Sequence, residues 1–96
     1  MKRLSAEEIQ QQLQWLHQEW RLLDGRLHRH LRFSDFVEAF GFISQAALVA
    51  ERMNHHPEWR NSYNIVEVEL TTHEAGGLTH RDFSLAQAMD NICRRA

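Results

Sequence analysis

The sequence predicts an α+β domain, in which an antiparallel four-stranded sheet carries three helices packed on one face. Two hairpins are predicted, because Asp24-Gly25 lies between two apolar-containing runs and the segment 61–64 precedes an alternating run. Three segments with apolar residues at helical spacing lie before, between and after these hairpins. The predicted order of elements is therefore α-β-β-α-β-β-α.

The first helix is predicted over residues 6–16. Ser5 and Glu8 have the spacing of a capping box, in which each side chain accepts a hydrogen bond from the other residue's amide. The apolar positions that follow at helical spacing are Ile9, Leu13 and Leu16.

The first hairpin joins a short strand that ends at Leu23 to a strand over about residues 26–33. In the longer strand, leucines alternate with histidines, which predicts one buried and one solvent-facing side. Arg29 falls on the buried side of this pattern. An edge position of the strand in the sheet would explain that arginine.

The second helix is predicted to begin after Ser34 or Asp35 and to end by about His55, because Pro57 disfavours helical geometry in the residue before it. Its spacing predicts one apolar stripe that faces the core. The residues of this predicted stripe are Phe36, Phe40, Ile43, Ala47 and Ala50.

The second hairpin is predicted to turn at residues 61–64, and the strand from Ile65 to Leu70 alternates apolar residues with glutamates. Thr79 is predicted to cap the last helix, with Asp82 at its third position. The apolar face of that helix is predicted to comprise Phe83, Leu85, Ala86, Met89 and Ile92.

The composition is that of a globular protein. The 96 residues support a single domain, residues 1–96, and 43% of them are apolar while 25% are charged. A net charge of −2 with neutral histidines argues against general electrostatic binding to nucleic acid or to an anionic membrane. A domain of this size buries a limited part of its surface, so association between copies would stabilise it.

Cysteine usage and the N-terminal residues indicate the compartment. Cys93 is the only cysteine, which excludes an intrachain disulfide and a thiolate zinc cluster. The first residues do not have the pattern of a secretory signal, and no apolar run approaches the roughly 20 residues that cross a bilayer. The expected location is the cytoplasm.

Three segments contain polar residues that are candidates for an active site. Glu51 lies near the end of the second helix, the run from His55 to Trp59 follows it, and the run from Thr72 to Leu78 ends the last strand. Glu51 and His55 are four residues apart, so they face one another if the helix extends that far. Such element ends commonly form active sites.

The segments Glu51–Trp59, 61–64 and Leu70–Thr79, followed by Asp82, resemble the signature of the pterin-4a-carbinolamine dehydratase family. A His-His-Pro motif alone would be weak. Its combination with Thr-His-x-x-Gly-Gly at matching separation is specific. The resemblance covers residues 36–92, and the order of the predicted elements agrees with it.

The resemblance implies a hydro-lyase that dehydrates 4a-hydroxytetrahydropterin to quinonoid dihydropterin in tetrahydrobiopterin recycling. It implies a small-molecule pterin substrate, a homodimer or homotetramer, and neither a cofactor nor a metal. Carried over by position, the catalytic residues are His55, His56 and His73. The implied substrate-binding residues are Glu51, Trp59 and Thr72, and the structural residues near the site are Pro57, Thr79 and Asp82.

Histidine chemistry suits this elimination. The leaving hydroxyl must gain a proton and the neighbouring ring nitrogen must lose one, and histidine with a pKa near about 6.5 does either near neutral pH. No electrons are transferred, so no redox cofactor is required. We expect His55 to be the general acid, His73 to bind the pterin near its reacting edge, and His56 to orient the substrate or its neighbour.

Other interpretations remain open at this point. Histidines at a helix C-terminus interact favourably with the helix dipole without any catalytic role. Three histidines also suit zinc, and His28 and His30 form a second potential metal pair on one strand face. A non-catalytic binding module, coactivator or assembly factor on the same fold is the alternative function, although the complete set of histidines favours an enzyme.

Overall fold

Residues 2–95 are described by the computed structural model, and they form three helices and four strands. The helices are α1 (Ala6–Leu13), α2 (Phe36–Met53) and α3 (His80–Arg95), and the strands are β1 (Arg21–Leu23), β2 (Arg26–Arg32), β3 (Glu58–Ser62) and β4 (Ile65–Leu70). A 3₁₀ turn, His73–Ala75, follows β4. The strands form one antiparallel sheet in the order β1-β2-β4-β3. The predicted α+β class and the predicted element order are confirmed.

One face of the sheet is buried beneath the helices. Leu27 and Leu31 of β2 alternate with histidines, and the valines of β4 alternate with glutamates, so each strand places its apolar residues on the same side. α2 packs against α3 over this face. Among the described residues, no helix combines the length and the apolar character needed to cross a membrane.

Both predicted hairpin turns are present. Asp24 and Gly25 have φ angles of 52° and 73°, which is the backbone geometry that a two-residue hairpin turn needs. The second turn is Tyr63-Asn64, with Tyr63 at φ 51°. The capping box of Ser5 and Glu8 is also present. α1 ends at Leu13 instead of residue 16, and the chain beyond it is held by tertiary contacts.

The predicted stripe of α2 is wrong in part. The buried residues of this helix are Ala39, Phe42, Ala46 and Ala50. Phe36 and Phe40, which were expected to be buried, are 48% and 53% exposed, and Ala47 is exposed as well. Apolar residues occupy both sides of α2, so spacing alone does not select the buried side. The small side chains of the three alanines let the helix approach its neighbours closely.

The predicted edge position of β2 is also wrong, since β2 lies between β1 and β4. Arg29 is buried on the helix-facing side, where its Nη1 donates to Oδ1 of Asp90 at 2.6 Å. Asp90 also accepts hydrogen bonds from Trp20 Nε1 and from the backbone amide of His17, each at 2.8 Å. The buried charge of Arg29 is therefore paired, which is the condition for burying a charge at acceptable cost.

Candidate active site

His55 is placed by the way in which α2 ends. Asn54 adopts a left-handed conformation, with φ 52° and ψ 44°, and its amide donates to the carbonyls of Ala50 and Glu51. The amide of His55 then donates to the carbonyl of Ala50 at 3.0 Å. This pattern closes the helix and reverses the direction of the chain. As a result the His55 side chain points inward and is only 7% exposed.

The inward-facing ring of His55 meets a buried carboxylate. His55 Nε2 lies 2.7 Å from Oδ1 of Asp82, and Asp82 is fully buried. The other carboxylate oxygen, Oδ2, accepts from the Thr72 hydroxyl at 2.7 Å and from the Thr79 amide at 2.9 Å. The two threonine hydroxyls lie 2.8 Å apart. Asp82 thus binds three groups from three different parts of the chain.

The cap at the start of α3 explains why the Asp82 carboxylate lies in the interior. The amide of Thr79 donates to Asp82, which is the half of a capping box that the sequence spacing predicts. The Thr79 hydroxyl accepts from the amide of Arg81 at 3.3 Å. A buried carboxylate needs several donors to offset the loss of water, and these contacts supply them. Asp82 caps the helix and also holds His55.

Glu51 does not contact His55. Its Oε1 lies 2.8 Å from Nε2 of His56, and both side chains are exposed, by 81% and 58%. The reason is that α2 ends at Met53, so the helical spacing of four no longer relates Glu51 to His55. The left-handed Asn54 sends the two adjacent histidines in different directions.

His73 lies in the 3₁₀ turn after β4. His73 directly follows Thr72, whose hydroxyl donates to Asp82. Because Asp82 also contacts His55, it connects His55 to the segment that contains His73. The ring of His73 is exposed, and Nε2 lies 3.5 Å from Oε2 of Glu58 at the start of β3. His73 also lines a surface cavity of about 610 Å³.

The glycines after His73 form the tight turn and admit the N-terminal segment. Gly76 has φ 73°, a left-handed geometry in which glycine has no steric cost. Gly77 lies under the side chain of Arg3, and a Cβ at Gly77 would lie 2.6 Å from Arg3 Cδ. The amide of Leu4 donates to the carbonyl of Leu78 at 2.8 Å. Arg3 therefore forms a wall of the cavity that His73 lines, and sequence reasoning missed it.

The remaining predicted site residues differ in exposure. Trp59 is half-buried and packs against the core. Thr72 is 1% exposed, and its hydroxyl is bonded to Asp82 and Thr79, which favours a positioning role over direct contact with substrate. Pro57 is half-buried between His56 and β3. Sequence reasoning also missed Glu58 as a partner of His73, although Glu58 lies within the segment Glu51–Trp59.

The alternatives that involve a metal can be compared with this geometry. Among residues 2–95, no group of three or more histidine, cysteine, aspartate or glutamate side chains has an arrangement that could hold a metal ion. His28 lies 3.5 Å from Glu69 on the outer face of the sheet. His55 is directed to Asp82 and His56 to Glu51, so the adjacent histidines do not converge.

The structure is therefore a small α+β domain with one buried histidine bonded to a carboxylate and two exposed histidines at the ends of elements. The family described as pterin 4 alpha carbinolamine dehydratase matches residues 2–92. This chain belongs to that family. Membership supports a pterin carbinolamine dehydratase activity in general terms, and so a small-molecule pterin substrate.

Relatives agree with this assignment over nearly the whole chain. Proteins from Solibacter usitatus and Rhodopseudomonas palustris, each named "Putative pterin-4-alpha-carbinolamine dehydratase", are 52% and 54% identical over 90 and 94 residues. The aligned segments cover 94% and 96% of this chain, and 94% and 92% of the relatives. A crystal structure from Brucella melitensis, described as a transcriptional coactivator/pterin dehydratase, has a TM-score of 0.91 at 43% identity, and the alignment covers 95% of this chain and 98% of that one.

Proposed function

We propose that this chain dehydrates 4a-hydroxytetrahydropterin to quinonoid dihydropterin by histidine acid/base catalysis, as a step in tetrahydrobiopterin recycling. The observation that carries the proposal is the buried pair of His55 and Asp82, with 2.7 Å between Nε2 and Oδ1. The carboxylate accepts a hydrogen bond from the N–H group at Nε2, which keeps the proton on that nitrogen and so fixes the tautomer of the ring. Nδ1 is then the ring nitrogen that exchanges a proton with the substrate.

The elimination balances with these groups alone. A protonated His55 gives its proton to the hydroxyl on C4a, the bond from C4a to oxygen breaks, and water leaves. The adjacent ring nitrogen loses its proton to a base, and its electrons form the new double bond. In the proposed division of roles His73 binds the pterin near its reacting edge and shares this proton transfer. His56, paired with Glu51, orients the substrate from the exposed side of the site.

The activity test uses freshly generated 4a-hydroxytetrahydropterin and follows the quinonoid product by absorbance. We expect the protein to accelerate dehydration above the rate in buffer, and His55→Ala to lose about 10²-fold or more of that acceleration. His17→Ala, a histidine away from the site, is the matched control. No acceleration by the folded wild-type protein would contradict the proposal and would favour a non-catalytic binding module.

The same assay tests the metal alternative. Activity that survives dialysis against a chelator is expected if histidines alone move the protons. Loss of activity with chelator, and recovery on addition of zinc, would contradict proton transfer by histidines alone.

We also propose that copies of this chain associate through the outer side of α2. Four large apolar side chains lie exposed there: Phe36, Val37, Phe40 and Leu48. They fall on one side of the helix, and the rings of Phe36 and Phe40 lie 5.8 Å apart. A domain of this size gains stability by burying such surface in a homodimer or homotetramer.

Light scattering on the size-exclusion peak tests this association. The wild-type chain is expected at two or four times the monomer mass, and Phe40→Glu is expected to shift it toward the monomer. Gln45→Glu, an exposed change on the same helix that leaves these four side chains unchanged, is the control. A monomeric wild-type protein would contradict the proposed association.

A further inference from the structure

The outer face of the sheet carries a row of charged groups that ends at His73. Register places Glu58 of β3 directly opposite Glu69 of β4, with their side chains on the solvent side of the sheet. Two carboxylates at directly opposed positions repel one another. An arrangement of this kind needs cations or proton donors beside it.

Arg26, the first residue of β2, supplies the cation. Its Nη1 forms an ion pair and hydrogen bond with Oε2 of Glu69, and it also lies 3.7 Å from Oε2 of Glu58. The hydrogen bond and charge of Glu69, with a contribution from Glu58, raise the pKa of Arg26, so the guanidinium stays charged. Arg26 therefore limits the positions that the Glu58 carboxylate can adopt.

The oxygen of Glu58 that faces Arg26 also faces His73. His73 Nε2 lies 3.5 Å from Oε2 of Glu58, which is just beyond the usual length of a hydrogen bond. Catalytic hydrogen bonds are often long in ligand-free structures and tighten when substrate binds. The pair lies beside the cavity of about 610 Å³, which His73 and Arg26 both line.

We infer that Glu58 is a positioning residue for His73, which accepts a hydrogen bond from Nε2 and leaves Nδ1 to act on the pterin. This inference rests on the function proposed above for His73. Arg26 holds the Glu58 carboxylate in place, and Glu58 in turn selects one tautomer of the His73 ring. The arrangement parallels that of Asp82 and His55, with one carboxylate for each of two histidines, but here both partners are exposed.

The test combines the tautomer of His73 with dehydration kinetics in four proteins: wild type, Glu58→Ala, Glu58→Gln and the control Glu67→Ala. Glu67 lies on the same face of β4 and pairs with Arg60 at 3.4 Å, away from His73. Nitrogen-15 chemical shifts of the His73 ring, measured without substrate at a pH where the ring is neutral, report the tautomer. His73→Ala assigns the signals.

In the wild type we expect the proton of His73 to reside mainly on Nε2, and Glu58→Ala to shift it toward a mixture. The same variant is expected to lower kcat by about tenfold with little change in KM, because it removes orientation and not binding. Glu58→Gln keeps a hydrogen-bond acceptor without the charge. It is expected to restore part of the Nε2 tautomer of His73 and part of kcat. Glu67→Ala should match the wild type.

The outcomes separate this inference from the proposed function. If the wild type dehydrates the pterin but Glu58→Ala leaves the tautomer of His73 or kcat unchanged, Glu58 does not position His73 for the reaction and the inference is overturned. If the tautomer responds as expected but the wild type is inactive, the proposed function fails while the positioning contact between Glu58 and His73 stands.

Discussion

At the scale of single residues, Asp82 takes part in both the packing of the domain and the proposed chemistry. Its carboxylate accepts from Thr72 and Thr79 and pairs with His55, all without exposure to water. The cap contact follows from the spacing of Thr79 and Asp82 in the sequence. The contact with His55 joins residues 27 positions apart, so only the folded chain brings it about.

Asp82→Asn is expected to impair both stability and activity. An amide has one acceptor oxygen where the carboxylate has two, so the asparagine side chain cannot accept from His55, Thr72 and the Thr79 amide at once. At least one buried hydrogen bond is lost, and we expect a loss of about 2 kcal/mol in the free energy of unfolding. Dehydration should slow by about 10²-fold, because the tautomer of His55 is no longer fixed. Urea unfolding and the absorbance assay measure these effects.

The control for this variant is Asp35→Asn. Asp35 caps α2 through the amide of Glu38 at 2.8 Å, and asparagine serves equally well as a cap. A stability for Asp82→Asn equal to that of the Asp35→Asn control would show that the buried carboxylate is not required.

Cys93 is expected to react slowly with thiol reagents. Burial raises the pKa of its thiol, and the charge of Asp90 adds to this while that of Arg29 opposes it. The thiolate is the reactive form, so the rate at pH 8 should be lower in the folded protein than in urea. Because the folded state holds the thiol proton more tightly, stability should fall as pH rises above the pKa of the unfolded thiol. Equal rates in the folded and unfolded protein would contradict the prediction.

At the scale of secondary-structure elements, the end of α2 decides where the two adjacent histidines point. The left-handed Asn54 stops the helix at Met53, sends His55 toward Asp82 and leaves His56 with Glu51. Asparagine tolerates this geometry better than most residues, because its short polar side chain can bond locally. The helix end, and not the helix itself, builds this part of the site.

Replacing Asn54 tests that view. Asn54→Ala should lower the free energy of unfolding by about 1 kcal/mol, because alanine adopts left-handed geometry at a steric cost. Its kcat/KM should fall as His55 loses its direction. Asn54→Gly, which adopts the same geometry freely, should keep both values near the wild type. Equal behaviour of the alanine and glycine variants would mean that backbone geometry at this position does not matter.

At the scale of the whole molecule, Asp90 joins three separate parts of the chain. Asp90 lies in α3 and forms an ion pair with Arg29 of β2. It also accepts hydrogen bonds from the Trp20 side chain and from the amide of His17. These contacts fasten the segment after α1 to the sheet and to the last helix. They explain why the chain remains packed beyond Leu13, where α1 ends.

Asp90→Asn should destabilise the whole domain. Removing one partner of a buried ion pair leaves the other charge uncompensated, so we expect a loss of about 3 kcal/mol in the free energy of unfolding. Glu19→Gln, an exposed change in the same segment, should alter it by less than about 0.5 kcal/mol. Thermal and urea unfolding measure both variants, and a small effect for Asp90→Asn would show that the ion pair adds little.

Local spacing determined much of this protein before any tertiary contact was considered. The sequence alone predicts the α+β class, the element order, the two hairpin turns and the caps at Ser5 and Thr79. These features follow from interactions among neighbouring residues. The motif around His55 and His73 indicated the family for the same reason, since it depends on residue types at short separations.

Only the tertiary structure decided which surfaces meet. Apolar residues on both sides of α2 made its buried side undetermined, and the packing of Ala39, Ala46 and Ala50 resolved it. Arg29 was misplaced to an edge because its partner, Asp90, lies 61 residues away. The partners of the histidines were hidden for the same physical reason. A side chain forms hydrogen bonds with the groups that folding brings within about 3 Å of it. The separation of two residues along the chain does not determine that distance.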